Sequence, residues 1–107
     1  MKVEILYVAD CPSHSGAVKL VRDVLTSEGV TAEVHEVLVT STKMARDLAF
    51  PGSPTIRING QDVAAESSQR KGFALSCRLY FGSGQAGLPP VDLVRRAVLY
   101  AREEKVR

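Results

Sequence analysis

Cys11-Pro12-Ser13-His14 is the part of the sequence best suited to chemistry, because it sets a thiol three residues ahead of an imidazole where an apolar run gives way to helical spacing. A thiolate is a strong nucleophile, and an ordinary cysteine is only a few per cent ionised near neutrality, so position must supply the activation. With Pro12 read as the first helical residue, Cys11 stands at a helix N-terminus, where unpaired amides and the helix dipole favour the anion. His14, within one turn, is a candidate to support the thiolate or to relay a proton. The only other cysteine is Cys77. Cys11, His14, His35 and Cys77 formally make a two-thiol, two-imidazole set, but their spacing lacks the compact pairs of zinc motifs, and we assign no metal site. Two thiolates could still capture a soft ion.

The elements that must position these residues follow from the pattern. Val3–Val8 is a nearly continuous apolar stretch that suits a central strand. Ala17, Leu20, Val21, Val24 and Leu25 then recur at helical spacing, and Gly29 supplies a left-handed C-cap. Residues 31–39 read as a second strand, completing a βαβ unit. Thr40 or Ser41 caps a short helix carrying Met44, Ala45, Leu48 and Phe50 before Pro51-Gly52 stops it. Residues 53–60 read as a strand with Ile56 and Ile58 on one face and Thr55 and Arg57 on the other, ending in an Asn59-Gly60 turn. Asp62-Val63 begins one candidate for strand four, and Phe73–Phe81 is another. Gly82–Gly87 is a glycine-rich connection, after which Pro89-Pro90 presets a last helix with the stripe Val91, Val94, Val98 and Ala101, running to about Arg102.

This order of elements resembles the thioredoxin-like superfamily over almost the whole chain, and two motifs carry the likeness. Cys11-Pro12-Ser13-His14 looks like the family's Cys-x-x-Cys with His14 in place of the second cysteine. Gly52-Ser53-Pro54-Thr55 is similar to the segment in which the family sets a cis-proline beside the active thiol. The run Gly52–Gly60, with Ser76–Tyr80 later, resembles small bacterial thioredoxin-family proteins, some of them labelled alkylmercury lyase.

The resemblance implies an α/β fold, a βαβαββα three-layer sandwich with a four-stranded mixed sheet, formed by residues 1–107 as one domain. It implies a glutaredoxin-like monothiol oxidoreductase with Cys11 as nucleophile and His14 as modulator, acting in thiol-disulfide exchange. The residues Gly52, Ser53, Pro54 and Thr55 would dock a protein or glutathione-like substrate along the Ser53 backbone, and the connection before the last helix would border the thiol. Without the second motif cysteine, either an external thiol, glutathione for example, or Cys77 must resolve the mixed disulfide. Arg57, Arg70, Lys71 and Arg78 are candidates to meet an anionic partner. Two further readings stay open: a noncatalytic thioredoxin-fold binding module, and thiophilic-metal or organomercury handling through Cys11 and Cys77. No cofactor is expected.

Composition narrows the remaining classes. Lys and Arg number 14 against 12 Asp and Glu, too even a balance for a nucleic-acid footprint, so no nucleic-acid partner is expected. The first apolar stretch is interrupted by Glu4 and too short for a signal-peptide core or a membrane span. We therefore expect a cytoplasmic protein with no membrane partner, in which two cysteines are too few for a disulfide scaffold. Oligomeric state is not legible.

Overall fold

A computed structural model describes residues 1–64 and 87–106. Cys77, Arg70, Lys71, Arg78, the candidate strand Phe73–Phe81 and residues 82–86 lie outside them. The described chain is a mixed α/β fold with a four-stranded mixed sheet and three helices, in the order β1 (Lys2–Tyr7), α1 (His14–Ser27), β2 (Glu33–Leu38), α2 (Thr42–Asp47), β3 (Thr55–Ile58), β4 (Gln61–Asp62) and α3 (Val91–Val106). The strands are ordered β2-β1-β3-β4. β1 runs parallel to β2, with Val3 opposite Val34 and Tyr7 opposite Leu38. β3 runs antiparallel to β1, Leu6 facing Thr55, and β4 antiparallel to β3.

Strand alternation divides the core in two. Val3 and Ile5 of β1, with Ile56 and Ile58 of β3, pack beneath α1 and α3 through Ala17, Val21, Val24, Leu25, Val94, Val98 and Ala101. Leu6 belongs to a second cluster with Val39, Ala45 and Phe50. Both parts of β1 are buried, in keeping with its continuous apolar run. The helices are closed by local chemistry. Gly29, at φ 64°, lets α1 end with its amide on the Thr26 carbonyl and the Val30 amide on the Leu25 carbonyl, the paired bonds of a Schellman cap. Ser41 caps α2, its hydroxyl accepting from the Met44 amide at 3.1 Å.

Several expectations need correction. α1 begins at His14 with Ser13 as N-cap, so Pro12 is not the first helical residue. Two successive tight turns occupy that place: the Cys11 amide donates to the Val8 carbonyl at 3.3 Å, and the His14 amide to the Cys11 carbonyl at 3.2 Å. α2 ends at Asp47, before Pro51-Gly52, because Ala49 takes the left-handed conformation at φ 52° and completes a second Schellman cap, Phe50 donating to Ala45. The strand paired with β3 is Gln61–Asp62, joined by a two-residue Asn59-Gly60 turn with both φ values positive, the geometry that matches strand twist. Val91 leaves the α3 stripe and is 45% exposed, since it starts the helix at the rim of the core.

Candidate functional site

Two of the segments singled out in the sequence, the Cys11 turn and Ser53-Pro54, are both tied to the C-terminal end of β1. Val8, just past the strand, holds both halves of the site. Its amide donates to the Ser53 hydroxyl at 3.1 Å and its carbonyl accepts from the Cys11 amide. The pairing of Leu6 with Thr55 is what brings the Ser53-Pro54 segment alongside Val8. Asp10, at φ 60°, lets the chain turn sharply enough after Ala9 to lay Cys11 over this point. Cys11 is half-buried and carries a free thiol.

The Ser53-Pro54 peptide bond is cis. Around it Gly52 takes φ 145°, and the Thr55 hydroxyl donates to the Gly52 carbonyl at 2.6 Å. Gly52, Ser53, Pro54 and Thr55 are all buried, Ser53 to 1% exposure, so the expected docking segment is not an open edge. The Ser53 side chain is committed to Val8, which makes this serine a structural tie between β1 and the strand that follows it.

His14 is turned toward the sheet. Its Nε2 lies 2.6 Å from Oε1 of Glu36 on β2, and its ring stacks on Tyr7 with centroids 3.6 Å apart and an interplanar angle of 6°. Tyr7 and Glu36 share one face of the parallel pair, the face that α1 covers. His35, next to Glu36 in the strand, points to the opposite face and lies 3.6 Å from Glu33, so His14 and His35 do not converge on one site. Among the described residues no group of three or more His, Cys, Asp or Glu side chains is placed to hold a metal ion.

The segment leading into α3 packs against the start of α1. A Cβ on Gly87 would collide with the Ser13 hydroxyl and stand 3.1 Å from Ser13 Cβ. A Cβ on Gly16 would approach Leu88 Cδ1 to 3.2 Å. The end of the glycine-rich connection therefore rests on the first turn of α1, two residues from Cys11. Arg57 is spent on the fold, donating to the Ala49 carbonyl at 3.0 Å.

The sequence reading gave no part in the site to Val8, Tyr7 or Glu36, and held Gly87 only within the connection expected to border the thiol. Glu36 stood among the exposed positions of a strand, and nothing in its spacing from His14 marks a contact across 22 residues. Gly87 carried a signal, since a glycine directly before Leu-Pro-Pro often marks close approach of backbone to a neighbour. No helix among the described residues is long and apolar enough to cross a membrane. Comparison with protein-family models, with curated proteins and with solved structures gave no match.

Proposed function

We propose that this chain is a thioredoxin-like thiol protein that exchanges with disulfides through Cys11. The observation that carries the reading is the shared anchorage at Val8, whose amide and carbonyl tie the cis Ser53-Pro54 segment and the Cys11 turn to one residue. The strand order and the two apolar clusters that flank β1 agree with it. In the proposed step the Cys11 thiolate attacks one sulfur of a substrate disulfide. The S–S bond breaks, its electron pair leaves on the second sulfur, and that thiolate takes up a proton. A second thiol of the glutathione class then attacks the mixed disulfide and releases Cys11.

Burial of Gly52–Thr55 favours a second reading, the noncatalytic binding module, because an extended substrate needs the Ser53 backbone exposed. The two separate in one experiment: the reduced protein is mixed with glutathione disulfide, and the Cys11 peptide is followed by mass spectrometry. A glutathione adduct on Cys11 that forms faster than on the urea-unfolded chain, and is released by added glutathione, supports exchange. An adduct no faster than on the unfolded chain overturns it in favour of the module.

A further inference from the structure

The imidazole of His14 is held from two sides by groups that the proposed exchange does not otherwise use. A carboxylate only accepts hydrogen bonds, so the 2.6 Å contact with Glu36 Oε1 puts a proton on Nε2. The parallel stack on Tyr7 fixes the ring plane. These contacts come from the ends of two adjacent parallel strands, whose pairing sets Ile5 against Glu36 and Tyr7 against Leu38. Ring position is thus dictated by the sheet, while the His14 backbone is tied to Cys11 by the amide-to-carbonyl bond of 3.2 Å. Nδ1 has no hydrogen-bond partner among the described residues.

We infer that Glu36 is a positioning residue for the Cys11 thiol: it fixes His14 as the Nε2–H tautomer and so reserves Nδ1 for proton exchange at the thiol. The inference rests on Cys11 as the reacting group. The transfer is balanced within the site. The Cys11 thiol makes no hydrogen bond to the ring in the resting geometry, so it must rotate to pass its proton to Nδ1; the sulfur then forms its new bond, and Nδ1 returns the proton to the departing sulfur of the substrate disulfide. Tyr7 serves the same end by stacking, and needs only its ring to do so.

The test reads Cys11 with iodoacetamide, which needs no disulfide substrate, so failure of the exchange assay leaves it interpretable. Alkylation of the Cys11 peptide is timed by mass spectrometry in the wild type, Glu36→Ala, His14→Ala and the double variant, and the His14 ring nitrogens are followed by ¹⁵N NMR. The expected result is an Nε2–H ring in the wild type, loss of that tautomer in Glu36→Ala, and alkylation slowed about fivefold to tenfold, a modest part of what a positioned proton acceptor contributes. In the His14→Ala background, Glu36→Ala should then have no further effect. An equal slowing by Glu36→Ala with and without His14 overturns the inference, as does an unchanged ring spectrum or an unchanged rate in Glu36→Ala with native circular dichroism.

Discussion

Single residues at this site carry two different burdens, and substitution separates them. Ser53 is buried and its hydroxyl is the acceptor for the Val8 amide. Ser53→Ala leaves that part-buried donor unmatched, which costs about 1–3 kcal/mol. We expect urea denaturation to show a loss in this range, together with faster alkylation of Cys11 as its supporting turn loosens. A loss within experimental error would mean that the Val8 tie does not hold the site together. Cys11→Ser makes the opposite prediction. The residue is half-buried, with its backbone bonds independent of the side chain, so stability should stay within about 0.5 kcal/mol, as for substitutions away from the core. All adduct formation at position 11 should disappear. At this scale the cis bond before Pro54 was legible through its motif, and Cys11 and His14 drew notice because each has a distinctive chemistry at a distinctive place. Glu36 was not legible, since its role depends on a side chain brought to it by a helix, and no local pattern records that approach.

Elements show where local rules suffice and where a tertiary contact overrides them. Asn59-Gly60, Gly29 and Ser41 each do what their residue types dictate; the hairpin and the Gly29 cap could be read directly, while the cap of α2 was narrowed to Thr40 or Ser41. The start of α1 could not, because proline is equally suited to a tight turn and to a first helical position; the bonds from Cys11 to Val8 and from His14 to Cys11 select the turn. The end of α2 was masked in the same way, as alanine in the left-handed region carries no sequence signal. That residue offers a test. Ala49→Gly removes a left-handed cost of roughly 1–2 kcal/mol and adds back roughly 0.5–1 kcal/mol of unfolded-state entropy, so we expect a net gain of up to about 1.5 kcal/mol in thermal or urea denaturation. A loss would show that the alanine methyl is packed. Gly87→Ala should destabilise by about 1–3 kcal/mol through overpacking against Ser13, and Ser13→Gly in the same chain should recover part of it by removing both atoms in the way. Failure of Ser13→Gly to recover any stability would place the clash elsewhere.

For the whole molecule, the decisive feature is that one strand serves both sides of the sheet. Val3 and Ile5 are buried in the cluster beneath α1 and α3, Leu6 in the cluster with Phe50, and all are at most 1% exposed. The alternation inside an apolar run is invisible to a hydropathy pattern, which is why the sequence revealed a central strand but not which residues belonged to which core. We therefore expect damage to either side to be transmitted through β1 to Val8. Phe50→Ala should cost about 3–5 kcal/mol and Val94→Ala about 2 kcal/mol, from lost transfer free energy and the cavity left behind. Phe50 and Val94 lie in separate clusters, so the double variant should lose the sum of the two to within about 0.5 kcal/mol. A chain of 107 residues with one shared strand should nevertheless unfold in a single transition. Far-UV circular dichroism for the helices and Cys11 alkylation for the site, followed along one urea series, should therefore give coincident midpoints that move together in each variant. If Phe50→Ala opens the thiol to alkylation while the helical signal persists, the two sides melt separately, and β1 does not couple the core to the site.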